Sequence, residues 1–409
     1  MKVFSIAIIV GLLFSSQATA ASGAGAINMS FNTSARFEAM GSAGVGAPWG
    51  TDTNHWANPA LLAFRPGLNY LKFRSELAVG LADDIVITNE EITLGNYGVT
   101  LLLATGPVDG NFLDMGTQIG TDENGIPTAS FESYMKSESW GLGLDVVQIL
   151  DRLLDHGDQS WSRYTTLAVG YTHHDFSDQL APDNNLQDSQ GGGSAEGSSS
   201  DKGFVLRATP LVIDTPNGWH NNGYVGLTAG AAYGYSLQSD TDKYIVHVNT
   251  DQSDPFPRAF IKGWSVHLAL PLAPNFRDRP VQGLERLLTE AIDPFFSFTY
   301  SSQLIEPGYV WNQDLGDYVY EHDKSGLQDE EGHGWEIGLA NIFYVRRGHV
   351  KVDYGQVDGD TSGWGINLQA GDMGGFRFDR ARVPQAIGLP NVTREGWSIW
   401  ICPLAIANR

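Results

Sequence analysis

Several groups of residues have types and spacing that could do chemistry, and each meets a physical objection. Gly263-Trp264-Ser265-Val266-His267 echoes the Gly-x-Ser-x-Gly turn that presents a nucleophilic serine. It sits inside an alternating run, where no strand-to-helix turn is available. His173-His174-Asp175 offers metal-ligand types, but neighbouring residues of a strand point to opposite faces and do not share an ion. Gly41-x-x-Gly44-x-Gly46 has the glycines of a phosphate loop without a preceding strand or a following lysine. Asp358-Gly359-Asp360 and Asp122-Glu123-Asn124-Gly125 lack EF-hand ligand spacing, and solvated turns account for them. The chain is therefore read as a non-enzyme without metal or cofactor.

The elements that carry these residues are strands. Period-two runs separated by Gly, Asn and Asp turns cover 68–79, 85–94, 97–104, 162–174, 204–213, 224–237, 244–248 and 259–270. More follow at 295–304, 334–344, 349–354, 364–370, 376–383 and 396–401. In the third run Tyr97, Val99, Leu101 and Leu103 share one face and Gly98, Thr100, Leu102 and Ala104 the other. The count is roughly twelve to sixteen strands, near the ~9–11 residues of a tilted membrane strand. Trp140, Trp161, Tyr171, Trp264, Tyr300, Trp335, Trp364, Trp397 and Trp400 lie near run ends, as interface girdles require, and glycines ease the bends that close a barrel. A soluble sandwich or propeller would alternate likewise, though no fixed repeat supports a propeller. Two short amphipathic helices are expected, at 146–154 and 284–291. Residues 109–128, 175–202 and 306–332 read as outward loops.

Composition narrows the setting. The 409 residues carry 48 glycines, 11% aromatics and only 18% charged residues, with a net charge of −22 that argues against nucleic acid as partner. Lys2, an apolar run and Ala18-Thr19-Ala20 give residues 1–20 the form of a cleaved secretory signal. The one cysteine, Cys402, leaves no intrachain disulfide to hold the fold. No later apolar stretch is long enough for a spanning helix, so a membrane would be crossed by strands.

One stretch is unlike the rest. Residues 36–64 contain Gly41, Gly44, Gly46, Gly50, Pro48 and Pro59, which oppose regular structure. Trp49, Trp56, Leu61, Leu62 and Phe64 make the same stretch too apolar to stay in water. Met40 to Val45, then Asp52, then Asn58-Pro59-Ala60-Leu61, resembles the N-terminal hatch of FadL-like and PorV/PorQ-like outer-membrane proteins. Asn341 to His349 and Phe376 to Ala381 resemble that family's late strands, with Arg380 and His349 departing from its usual tyrosines. The chain also runs past Trp400 to Arg409 instead of ending in an aromatic strand.

The resemblance implies an all-β fold: a transmembrane antiparallel β-barrel of about fourteen strands, within the range such barrels occupy. Residues 21–66 would form the hatch in its lumen and 67–409 the wall. Hatch and gating roles are expected for Arg36, Gly41, Gly44, Asp52, Trp56, Asn58, Pro59 and Ala60. Arg36 and Asp52 are expected to pair as a clamp. Asn58 is suited to satisfying loose backbone groups, Pro59 to fixing the turn and Ala60 to close approach to the wall. In FadL-like proteins the motif neighbours a side opening through which hydrophobic compounds leave the barrel. In PorV-like ones it accompanies shuttling of secreted protein cargo in type IX secretion. The expected partners are outer-membrane lipid with hydrophobic small molecules or cargo. Passage of hydrophobic molecules leads, with secretion or surface assembly, or a purely structural envelope barrel, as alternatives.

Overall fold

A computed structural model describes residues 26–50, 52–65, 67–79, 82–121, 127–154, 161–179, 194–213, 227–241, 244–246, 253–270, 291–308, 310–312, 317–319, 329–352, 357–371, 373–385 and 390–403. The expected signal at 1–20 lies outside them, as do 284–290 of the second expected helix and the Asp122–Gly125 turn.

The wall strands are β1 (Gly67–Val79), β2 (Ala82–Asn96), β3a (Val99–Ala104) with β3b (Gly110–Thr121), β4 (Pro127–Asp145), β5 (Thr165–Gln179), β6 (Ser194–Ile213) and β7 (Leu227–Gln238). They continue as β8 (Ala259–Leu270), β9 (Phe296–Pro307), β10 (Glu330–Leu339), β11 (Phe343–Val352), β12 (Val357–Gln369), β13 (Gly374–Val383) and β14 (Val392–Ile401). Each pairs antiparallel with its neighbours, and β14 returns to β1 from Leu68↔Ile401 to Ser75↔Arg394. Since β3a and β3b share one place between β2 and β4, the result is a closed antiparallel barrel of fourteen strands. Closure leaves no unpaired edge.

The burial pattern is inside out relative to a soluble barrel. On β3a, Leu101 and Leu103 are about half exposed, whereas Thr100, Leu102 and Ala104 are buried. Leu68, Leu94, Trp140, Leu206, Trp264, Phe343, Val345, Trp364, Leu368 and Ile399 extend this outward apolar belt around the wall. A continuous belt of this size is what lipid-facing strands require and water penalises. Trp400 is an exception among the expected girdle residues: it is buried, because its parity on β14 turns it inward.

The lumen is occupied by residues 26–65. This segment contains a 3-10 turn Ile27–Ser30, a single helical turn Ala35–Glu38 and a 3-10 stretch Pro59–Phe64. Its backbone lies against the inner faces of wall glycines. A Cβ on Gly170 would stand 2.1 Å from the Pro59 carbonyl carbon, and one on Gly234 2.1 Å from the Val45 oxygen. The spacing of Gly141 and Gly143, or of Gly332 and Gly334, places both members on the inward face. These glycines thus make room for the segment, beyond any role in bending the strands.

Several strand expectations need correction. Residues 109–128 are mostly wall, in β3b and the start of β4, and 334–344 is a hairpin of β10 and β11 turning at Ala340-Asn341. Strand also replaces loop at both ends of 175–202 and 306–332, which places Glu330 and Glu331 in β10. Here the strands rise beyond the apolar belt, so polar residues occupy both faces and the hydrophobic period fades. Tyr244–Val246 pairs with Ser253–Pro255 in a separate ribbon outside the wall sheet. The helix Val146–Leu153 is present, capped by the Asp145 carboxylate on the N–H groups of Val147 and Gln148.

Candidate functional site

The lumen segment is held by three buried charged clusters. In the first, Arg36 donates to both oxygens of Glu336 on β10, at 3.0 and 2.7 Å. Its remaining amino group donates to the carbonyls of Trp49 and Asp52, at 2.6 and 2.7 Å. The expected pairing of Arg36 with the Asp52 carboxylate is therefore corrected. The chain folds back so that backbone oxygens meet the guanidinium, and the Asp52 carboxylate faces Arg65 at 3.7 Å and Ser34 at 3.4 Å. Glu336 also receives Arg346 at 2.6 Å, and Arg346 and Arg377 reach Asp379 at 2.8 and 2.6 Å. A forked arginine–carboxylate contact fixes orientation as well as charge.

The second cluster surrounds Glu91 on β2. It accepts from the Trp56 indole at 2.9 Å and from Arg65 at 2.6 Å, with His55 at 3.0 Å. Burial pushes the His55 imidazole below its ordinary range; Glu91 opposes the shift, and Arg65 adds to it. Trp56 also stacks on His174, with ring centroids 5.3 Å apart. His174 bridges Ser139 (2.6 Å) and Asp201 (2.9 Å), an arrangement with the residue types of a nucleophilic triad. All three are buried, and Ser139 does not line the cavity described below, so the trio serves as a polar seat for Trp56. His173 points away and meets Asp175 at 3.3 Å. No cluster with metal-ligand geometry occurs among the described residues.

Between these clusters the glycine-rich run crosses the barrel. Gly41 has φ +69, and a Cβ there would lie 2.2 Å from the His349 oxygen. The N–H groups of Gly44 and Val45 share the Gln303 side-chain oxygen at 3.1 and 2.9 Å. Asn58 is wholly buried; its amide donates to the carbonyls of Val45 and of Phe204 in the wall, both at 3.0 Å. Its oxygen accepts from the Ala60 N–H at 3.1 Å, capping the stretch that starts at Pro59. Ala60 is buried against Gly170.

The third cluster borders a cavity. Glu38 meets Arg394 at 2.6 Å and accepts from Ser42 at 3.1 Å, and burial raises its carboxyl above the ordinary range against the pull of Arg394. The cavity measures about 280 Å³ and lies between the lumen segment (Met29, Phe31, Trp56) and the barrel end where β11 finishes, β12 begins and β13 finishes (Val352, Val357, Val383).

The wall itself is interrupted beside the segment's first turn. On the β2 side Leu103 pairs with Ile92 and Gly110 with Glu90; on the β4 side Ala104 pairs with Ser139 and Asn111 with Ser137. Both registers require the same five extra residues, and the chain between β3a and β3b is 105–109. At Gly106 an added Cβ would meet nothing within 4 Å, whereas Val108 is buried, so only part of this excursion stands clear of the protein. Behind it, Asn28 donates to Ser137 at 2.9 Å and accepts from Asn111 at 3.0 Å. Met29 and Ser30, in the same turn, line the cavity. The turn therefore separates the cavity from the interrupted strand.

The hatch residues named from the sequence all fall in the buried lumen segment, but their partners Glu91, Gln303 and Glu336 did not stand out. The available signal was inward parity: polar residues and Gly-x-Gly pairs on faces opposite the apolar belt.

No protein-family model matches the chain, and no curated protein does. Among solved structures, the chain is similar to the CymD monoaromatic hydrocarbon channel at 9% identity, covering 89% of this chain and 95% of that one, with a TM-score of 0.38. The P. putida toluene transporter TodX is 12% identical over 90% of this chain and 96% of its own, with a TM-score of 0.35. BamA from Haemophilus ducreyi lacking POTRA domains 1–3 is 10% identical over 81% and 70%, with a TM-score of 0.30. Likenesses this distant carry no inference about what this chain does.

Proposed function

We propose that the protein is an outer-membrane barrel that passes small hydrophobic molecules sideways into the membrane, with residues 26–65 acting as a hatch. The apolar belt supports the membrane setting, since that much exposed leucine, valine and tryptophan is stable only against lipid. The observation that carries the reading is the five-residue excursion in the third strand, seated directly on the hatch's first turn. A straight aqueous pore is opposed by the clamped segment across the lumen. A lateral route needs only the Ile27–Ser30 turn to move, because the cavity lies on one side of it and the interrupted strand on the other. Gating belongs in this scheme to Asn58, Trp56 and Arg36, which fix the rest of the hatch while that turn yields. Passage is passive, driven by partition of an apolar solute from the cavity into lipid.

The test is uptake by Gram-negative cells carrying the chain. Labelled naphthalene should enter faster than in cells with empty vector, while reconstituted liposomes should not swell in arabinose. Sugar permeation at the rate of an open porin would contradict the clamped hatch. Naphthalene entry equal to the vector control would remove the transport reading.

A further inference from the structure

The outward face of the wall carries charge where the apolar belt ends, and much of that charge is paired. Lys72, Lys136 and Lys262 meet the carboxylates of Glu90, Glu138 and Glu306. Arg347 on β11 and Arg382 on β13 are different. Both are exposed, and neither has an ion pair or hydrogen bond among the described residues. The register sets them in one row across three strands, with Arg347 opposite Ser362 on β12 and Ser362 opposite Arg382. At about 4.8 Å per strand, their Cα atoms stand ~10 Å apart on the same face. Thr393 on β14 extends the row, which contains no carboxylate from Arg347 to Thr393. The carboxylates beside it are engaged: Glu395 meets Arg380 at 3.4 Å, and Asp358 and Asp360 meet His349 at 3.1 and 3.2 Å. Two residues further along β11 and β12 come Val345 and Trp364, both exposed members of the apolar belt. Two cations without counter-charge thus stand at the edge of a greasy surface.

We propose that this row binds the phosphates of a phosphorylated glycolipid of the outer leaflet, lipid A, whose acyl chains lie along Val345 and Trp364. Guanidinium groups take phosphate oxygens in forked pairs, and the Ser362 hydroxyl between them is a further donor. Their stems lie on the belt while their heads stay at headgroup level. Two cations ~10 Å apart suit a headgroup with two phosphate monoesters, each carrying a charge of about −1.5 to −2, better than a single phosphodiester. The leaflet follows from the ends of the wall. Gly67 and the Leu68↔Ile401 pair lie at the opposite end of the strands from the row, and a chain inserted from the periplasm leaves both wall ends there. The inference uses the membrane setting of the proposed function and not the passage of solutes, so naphthalene uptake is indifferent to its outcome.

Native mass spectrometry in neutral detergent compares lipid A, its dephosphorylated form and phosphatidylglycerol. Wild type should bind lipid A at least about tenfold more tightly than either of the others. Arg347→Gln combined with Arg382→Gln should bring that preference within about threefold. Lys136→Gln combined with Lys262→Gln removes the same charge from the outward face of β4 and β8 and should leave the preference unchanged. Equal wild-type affinity for lipid A and its dephosphorylated form would overturn the proposal. A preference that survives the arginine pair of changes, or that the lysine pair abolishes equally, would overturn it too. Phosphatidylglycerol held as tightly as lipid A, or displacement of lipid A by equimolar inorganic phosphate, would make the row a general anion contact and overturn the assignment to a glycolipid. Heat-modifiable mobility shows that each variant is a closed barrel; if the arginine variant fails to assemble, the wild-type comparison decides.

Discussion

Asn28 and Asn111 join the lumen segment to the wall where the third strand is interrupted: the Asn111 side-chain amide donates to the Asn28 carbonyl at 3.0 Å. Asn28 in turn reaches Ser137 on the other flanking strand. Both asparagines are fully buried. One small turn therefore ties the lumen segment to both β3b and β4, which pair directly at Asn111↔Ser137, and loosening it is the step that the proposed lateral passage needs.

Asn28→Ala removes the donor to Ser137 and should cost ~1–3 kcal/mol locally. Amides around residues 27–31 should exchange with deuterium faster by about tenfold or more, while β8 and β9 keep wild-type protection. Naphthalene uptake should rise or hold. A global loss of protection would mean that this turn supports the barrel instead of gating it.

Arg36→Ala should be far more damaging than its position in an irregular segment suggests. It leaves Glu336 short of a forked partner in a fully buried cluster, and breaking such a pair from one side costs ~3–5 kcal/mol. Arg36→Lys should recover only part, since an ammonium cannot satisfy two carboxylate oxygens and two carbonyls in that plane. Thermal unfolding in detergent, followed by the mobility shift of boiled and unboiled barrel, measures both.

Gly41 and Gly106 form an internal control. Both have positive φ, at +69 and +75, so alanine carries a similar backbone strain at each, ~1 kcal/mol. Only at Gly41 does a Cβ meet wall backbone, at 2.2 Å from His349. Gly41→Ala should unseat the segment or block folding; Gly106→Ala should fold and melt within a few degrees of wild type.

Acidification should loosen the stretch around His55. Its folded-state imidazole titrates below the ordinary value of 6.5, so as pH falls through 6.5 the unfolded segment takes up a proton that the folded one refuses. Stability contributed above pH 6.5 is thus lost on going lower, by at most ~1.4 kcal/mol per pH unit. Exchange of residues 52–65, corrected for intrinsic rates, should accelerate between pH 7.5 and 5.5 in wild type and less in His55→Gln. Glu38 works in the opposite sense. Its carboxyl is raised above 4.5, so acidification relieves a buried charge near residues 35–44.

The barrel was legible because its outward face obeys period two, as Leu101 and Leu103 against Thr100 and Leu102 illustrate. The wall beyond the belt was not, since Asn111 and Asp114 give no hydrophobic contrast and the stretch reads as loop. The lumen segment stood out through an excess of tryptophan and glycine that neither strand nor solvent could absorb. Its clamps were hidden for a different reason. Arg36 and Glu336 are 300 positions apart, and only closure of the sheet brings them within 2.7 Å. The five-residue insertion was equally invisible, because it is defined by the partners of β2 and β4 and not by any property of 105–109.

Deletion of residues 106–110 tests lateral passage most directly. It places Thr105 opposite Glu90 and Glu138 and keeps Asn111 opposite Asn89 and Ser137, restoring an uninterrupted strand with unchanged inward and outward faces. The variant should assemble as a heat-modifiable barrel and lose naphthalene uptake to the level of empty-vector cells. Wild-type uptake through the sealed wall would contradict the account.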